Sequence, residues 1–353
     1  MRIISGNIDF IESLRGKSAT FILSLSYTKT SDIEGITQAG IPKKIYLTPV
    51  LDAEFLAVGR VRSMPKVAKT SSGIPSPVLI TRAVHLLKPF YKIEFLNLGL
   101  KQKPKLSYFN IYDFNIKISK RIDKKDTKIK AKEIFNKGVK FAKEYELNSD
   151  YLILAESLPS GTTTAQTTAM ALGYKGKNLF SSSFKRSPKN LKEKVIKKTL
   201  KKIDKKDDIF KKLSKVSDNM LLFYAGFVLQ MSKKSKIILA GGTQMASLLL
   251  LIDAISQAKK KKFCFENVAL ATTKWILEDK NSNIKKLLSM LSFEVNAYAS
   301  SFDFSLSNNH FLKLYDKGEA KEGVGAGGAL IYAKINSISK KKITNMIEKL
   351  FDN

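Results

Sequence analysis

Cysteine is nearly absent from this chain, with Cys264 alone among 353 residues. One cysteine excludes an internal disulfide, and a reducing cytoplasm fits that usage. Histidine is almost as scarce. His85 and His310 cannot complete a zinc site with Cys264 unless carboxylates help. His85 sits in an apolar helix-like stretch and His310 follows Ser307-Asn308-Asn309 in a loop-like one, so neither reads as a catalytic base. No Gly-x-Ser-x-Gly elbow is present, which removes the nucleophile of a Ser/His/Asp hydrolase. The small-residue loop after Glu156 lacks the Gly-Lys-Ser/Thr ending of a P-loop, and no Gly-x-Gly-x-x-Gly follows the early strand, which argues against P-loop and nicotinamide-dinucleotide sites there. The longest apolar runs, Met220–Met231 and Met245–Ala258, are interrupted by Gly226, Asp253 or Gln257 and are too short to span a bilayer. Met1-Arg2-Ile3-Ile4-Ser5-Gly6 lacks the apolar core of a signal peptide. The expectation is a soluble, cytoplasmic protein.

Acidic residues are few: 31 against 62 basic ones, a net charge of +31. The excess is mostly lysine on helix-like segments, as in Lys192, Lys194, Lys197, Lys198, Lys201 and Lys202. Aromatic residues do not alternate with these runs as a single-strand groove requires. Solvated helix faces account for the lysines, and nucleic acid is not an expected partner. Steering of anionic substrates is a by-product.

Strand-like and helix-like segments alternate from residue 151 onward. Tyr151–Ala155, Lys236–Ala240, Asn267–Thr272 and Ser292–Tyr298 read as strands. Ser160–Leu172, Pro188–Lys202, Ile209–Met231, Thr243–Ala258 and Ile338–Leu350 read as helices. Earlier, Phe21–Tyr27 and Tyr91–Leu96 read as strands, and Val50–Val58, Pro77–Leu87 and Ala131–Leu147 as helices. Ser63–Pro77 reads as a loop and 101–130 as irregular. The pattern predicts an α/β fold with a doubly wound, mostly parallel sheet. Residues 20–335 would form a large nucleotide-binding domain, and segments 1–19 and 336–353 would contribute to a small helical subdomain.

Ligands of such sheets gather at the carboxyl ends of the strands. Three strand-to-helix junctions there carry chemistry. In Glu156-Ser157-Leu158-Pro159-Ser160-Gly161-Thr162-Thr163-Thr164, a carboxylate ends a strand and hydroxyls open a helix, which suits a phosphate. Gly241-Gly242-Thr243-Gln244 allows a tight turn and close ligand approach. Glu322-Gly323-Val324-Gly325-Ala326-Gly327-Gly328 places one acid before a glycine run whose amides can face an anion. Each junction also has a plain reading as a capped or tightly turned helix start. Trp275 and Phe302 read as core, and Cys264 has no evident base or resolving thiol.

These residues resemble the nicotinate-nucleotide–dimethylbenzimidazole phosphoribosyltransferases, in a divergent branch, over about 21–335. Glu322-Gly323-Val324-Gly325-Ala326 is similar to the family's Glu-Gly-x-Gly-Ala signature, whose glutamate is the general base. The Glu156–Thr163 loop is similar to a Glu-Met-Gly-Ile-Gly-Asn-Thr-Thr loop, and Gly241–Ala246 to Gly-Gly-x-Glu-Ile-Ala. Lys194 falls near a family lysine that lines the site. Pro159, Ser160 and Gln244 depart from the pattern, and Glu266-Asn267-Val268 replaces an Asp-Gly-Phe element.

The resemblance implies transfer of a phosphoribosyl group from nicotinate mononucleotide to an azole base such as dimethylbenzimidazole, with nicotinate released. Glu322 would be the base and Glu156 an electrostatic stabiliser. Ser160, Gly161, Thr162, Thr163, Lys194, Gly241, Gly242, Gly323 and Gly325 would hold substrate and phosphate. No metal or cofactor is implied, and a homodimer is. The alternative is a non-catalytic nucleotide-binding or regulatory protein that keeps the fold.

Overall fold

The computed structural model describes residues 1–65, 73–125 and 129–352. Positions 66–72 of the expected 63–77 loop and 126–128 of the irregular segment lie outside the described residues.

The first half of the chain runs β1 (Arg2–Ser5), α1 (Asp9–Glu12), β2 (Ala19–Leu25), α2 (Thr48–Val58), α3 (Val78–Leu87), β3 (Lys92–Asn97), β4 (Ile111–Asp113) and α4 (Ala131–Glu144). The core of the second half is β5 (Tyr151–Ser157), α5 (Gly161–Ala171), α6 (Lys189–Leu200), α7 (Ile209–Val216), α8 (Asn219–Met231), β6 (Lys236–Ala240) and α9 (Thr243–Lys259). It closes with β7 (Val268–Thr272), α10 (Lys274–Leu277), α11 (Ile284–Leu288), β8 (Asn296–Ala299), α12 (His310–Lys313), α13 (Ala326–Ile335) and α14 (Lys340–Asp352).

The strands form one sheet in the order β1-β8-β7-β6-β5-β2-β3-β4. Every pairing is parallel except β1 with β8. From β2 the chain winds outward through β3 and β4. It then returns to the other side of β2 with β5 and winds the opposite way. The doubly wound fold is therefore observed, and its switch point lies between β2 and β5.

Strands buried on both faces need continuous apolar runs, and β2, β5 and β7 are buried throughout. Alternate residues serve opposite layers. Phe21, Leu23, Ile153, Ala155 and Ala240 pack under α2, α3, α13 and α14. Ile22, Leu152, Leu154 and Leu239 pack under α4, α5, α8 and α9.

Three sequence expectations change. Ile209–Met231 is two helices, because Ser217 is extended and Asp218 caps α8 by accepting from Leu221 N at 2.9 Å. The 101–130 segment contains the short strand β4, paired in register with Phe95–Asn97. The last strand is confined to Asn296–Ala299, without the preceding residues from Ser292. At the termini, segment 1–19 supplies β1 to the main sheet as well as α1. Ile343 and Ile347 of α14 join the same apolar cluster as α2 and α3. Among the described residues, no helix is long and apolar enough to cross a membrane.

Candidate active site

The three glycine-bearing junctions meet at the carboxyl edge of the sheet. Val324 N donates to Glu156 O at 3.1 Å, which ties the Glu322 loop to the end of β5. Gly161 faces Gln244 so closely that a Cβ there would stand 2.5 Å from Nε2. A Cβ at Gly242 would lie 3.7 Å from Glu322 Cβ. Between them lies a pocket lined by Glu156 to Thr162, Ser181 to Ser183, Gly242 to Gln244 and Ala320 to Val324. Asp52 of α2 and the Pro75-Ser76-Pro77 segment before α3 also line it.

Glu322 is held by the loop that carries it. Its Oε1 accepts from Gly323 N at 3.2 Å and Gly327 N at 3.1 Å. Its Oε2 accepts from Thr273 N at 3.1 Å and Thr272 Oγ1 at 3.4 Å. Thr273 Oγ1 also donates to Lys321 O at 2.6 Å and pins the loop to the end of β7. Burial raises the Glu322 carboxyl to about 7, and these donors oppose the rise without cancelling it.

The glycine run is therefore not an open phosphate cradle. The amides of Gly323 and Gly327 are occupied by Glu322 itself. Gly325 (φ +69°) faces the core, where a Cβ would stand 2.7 Å from Ala155 Cβ. Gly327 lies against the end of β7, where a Cβ would meet the Thr272 backbone at 2.3 Å. These glycines let α13 start against the strand ends and aim its positive end at the carboxylate.

Glu156 is 8% exposed at the end of β5. Burial raises its carboxyl to about 8; the negative charges of Asp218 and Glu322 add to the rise, and the neighbouring Gln244 opposes it. Ser160 adopts a left-handed conformation (φ +63°) that turns the chain into α5. Ser160, Gly161 and Thr162 line the pocket, whereas Thr163 lies beneath it. Ser160 Oγ is buried without a hydrogen-bond partner. Such groups are completed by a ligand or by water. The long helices α5 and α9 both begin here, so two positive helix ends face one space.

Two buried lysines flank those ends. Lys192 Nζ donates to Thr162 Oγ1 and Ser181 O, each at 3.2 Å. Lys321 Nζ donates to Ser182 O at 3.0 Å and Phe184 O at 2.8 Å and lies 3.6 Å from Asp279. Burial lowers both ammonium groups, Lys192 to about 8. Lys194, the lysine expected at the site, is exposed on α6. Two residues along a helix turn a side chain by about 200°, so only one of the pair can face inward, and it is Lys192. Gly241 also stands back from the pocket, donating to Ala271 O of β7, while Gly242 forms the wall.

The structure adds Asp52, Ser76 and Ser157 to the pocket lining. Ser76 Oγ donates to Asp52 Oδ1 and Ser157 Oγ to Oδ2, both at 2.6 Å. Burial raises the Asp52 carboxyl to about 6. Asp52 shares an apolar helix with a second buried acid, Glu54, and nothing local singles it out for this role. His85 stacks on Phe90 and accepts from its backbone amide at 3.1 Å. Trp275 is buried, donating to Asp316 at 2.8 Å.

The pocket brings the Glu156 and Glu322 carboxyls, the starts of α5 and α9 and Lys321 to one space. Comparison with known proteins decides the kinship. A UPF0284 protein of Sulfurisphaera tokodaii is 37% identical over 99% of this chain and 97% of its own length. The chain belongs to the UPF0284 family. A second member, from Saccharolobus solfataricus, is 35% identical over 95% of this chain and 93% of its own. No family model matches the UPF0284 chain described here. Among solved structures, the nicotinate-nucleotide-dimethylbenzimidazole phosphoribosyltransferase of Thermus thermophilus is similar, with a TM-score of 0.62 at 12% identity. The match covers 95% of this chain and 83% of that one. A structure of CobT from the same organism gives 0.61 at 13% identity, covering 95% and 84%. At such identities the likeness is one of fold.

Proposed function

We propose that this UPF0284 protein transfers a phosphoribosyl group from nicotinate mononucleotide to an azole base, releasing nicotinate and forming an α-ribotide. The observation that carries the proposal is Glu322: a carboxyl raised to about 7, fixed by four donors, in a pocket also lined by Lys321 and by the starts of two helices, with Lys192 bonded to Thr162 behind one of them.

In this reading the 5′-phosphate lies at the starts of α5 and α9, near Lys192 and Lys321. The azole nitrogen lone pair forms the new bond to the anomeric carbon. The bond to the pyridinium nitrogen breaks, and its electron pair returns to the ring, so nicotinate leaves with a neutral ring and no acid is needed. The proton on the other azole nitrogen passes to Glu322 as general base. Ionised Glu156 stabilises the cation-like ribosyl carbon. Attack on the face opposite the leaving group inverts the anomeric carbon. Positioning of two bound reactants supplies much of the acceleration.

The test is incubation with nicotinate mononucleotide and a panel of benzimidazoles and purines, following nicotinate by chromatography. Release that depends on the base supports a transferase. Tight nucleotide binding without release from any pair supports the non-catalytic alternative.

A further inference from the structure

The part of the pocket lining formed by Asp52, Ser76 and Ser157 has a polarity that bears on the accepting base. A serine hydroxyl owns one proton. Ser76 and Ser157 both spend theirs on Asp52, at 2.6 Å each. Toward anything that enters the pocket, Asp52, Ser76 and Ser157 therefore present only lone pairs. All three line the same pocket as Glu322. The Ser76-Pro77 segment abuts the Glu322 loop, since a Cβ on Gly323 would stand 3.3 Å from Pro77 Cγ. The nearby Tyr315 hydroxyl is occupied as well, donating to Pro75 O at 2.8 Å.

Resting on the transferase reading, we infer that the accepted ring carries N–H donors besides its azole proton. The class is an amino-substituted heterocycle of the purine type, with its exocyclic amine placed on Asp52, Ser76 and Ser157. An amine has two protons for these acceptors, and a hydrogen bond to a charged acceptor is worth more than a neutral one. A dimethylated ring has one N–H, which Glu322 takes. Its methyl groups would strip water from a buried carboxylate and return no hydrogen bond. Sites built to bond a polar group reject analogues that lack it far more strongly than apolar sites reject a methylene.

The experiment measures kcat/KM for adenine and for 5,6-dimethylbenzimidazole with nicotinate mononucleotide as donor, and the affinity of each free base by calorimetry. The expected result is a preference for adenine of tenfold or more in both. D52N, which keeps the shape and adds a donor, should lower the adenine-to-dimethylbenzimidazole ratio at least tenfold. S76A and S157A should each lower it several-fold. Because the ratio is taken on one preparation, a loss of folded protein cancels, and S76A and S157A serve if D52N does not fold. Equal or reversed preference in the wild type, or a ratio unmoved in every variant that folds, overturns the inference and leaves the transferase reading intact. Nucleotide binding with no nicotinate release from either base overturns the transferase reading, and the calorimetric ratio still decides the base class.

Discussion

Glu156→Gln should make the protein more stable and, through the loss of its proposed electrostatic role, less active. The Glu156 carboxyl moves from an ordinary 4.5 to about 8, chiefly through burial, with Asp218 and Glu322 adding repulsion. A folded-state value above the unfolded one means that the folded chain holds a proton the unfolded chain has lost. Stability therefore falls as pH rises from about 4.5 to about 8, then levels off. The full shift sets a ceiling of about 5 kcal/mol at pH 8. Screening and relaxation around a site that opens to a cleft bring the expected gain to about 1–3 kcal/mol. Glutamine keeps the shape and removes the ionisation. Thermal unfolding of E156Q and wild type at pH 4 and pH 8.5 tests this. The melting temperature should rise by roughly 2–5 °C at pH 8.5 and stay unchanged at pH 4, where both side chains are neutral. A loss of stability at pH 8.5 would refute the burial argument, and so would a gain of the same size at pH 4.

Three further predictions follow from the same geometry. Lys192→Met should weaken nicotinate mononucleotide binding by about tenfold or more, because a buried charge near a phosphate is lost. Calorimetry should also find the variant no less stable, since a desolvated ammonium has been removed. Gly327→Ala places a Cβ 2.3 Å from the Thr272 backbone and 2.7 Å from Glu322 Oε2. It should cost about 1–3 kcal/mol in chemical denaturation and displace the base, with turnover falling further than nucleotide affinity. The pH profile of kcat/KM should rise with pH through about 7, as the Glu322 carboxyl ionises, and should keep rising toward the Glu156 value of about 8. The two acids repel each other, so the limb should be broader than a single titration. A profile that falls between pH 6 and 8 would exclude both roles.

Much of this site is legible in sequence, because strand-turn-helix junctions write themselves in local chemistry. Apolar β5 with Glu156 near its end, and hydroxyls opening α5, are close neighbours in sequence whose spacing needs no tertiary knowledge. The doubly wound sheet is legible for the same reason, from alternation after residue 151. What was hidden depends on packing. Whether Lys192 or Lys194 faces inward is decided by the side of α6 that meets Thr162 and Ser181, not by composition. Asp52 and Glu54 are both buried acids of one apolar helix, and only the return of Ser76 and Ser157 from other segments sets Asp52 apart. The glycine run was legible as important but misread in kind. Its amides serve Glu322, and its missing side chains admit Thr272, Ala155 and Ala240. The break at Asp218 was hidden because helical residues run up to it from both sides, with neither glycine nor proline between α7 and α8.

The central claim is that Glu322 takes a proton during base-dependent release of nicotinate. The most direct measurement compares wild type with E322Q for nicotinate release and nucleotide affinity, under identical conditions at pH 8. A drop in kcat of at least a hundredfold, with nicotinate mononucleotide affinity within about threefold of wild type, is the expected result. An E322Q protein that turns over at the wild-type rate, or one that loses nucleotide binding in proportion to rate, would contradict the assignment.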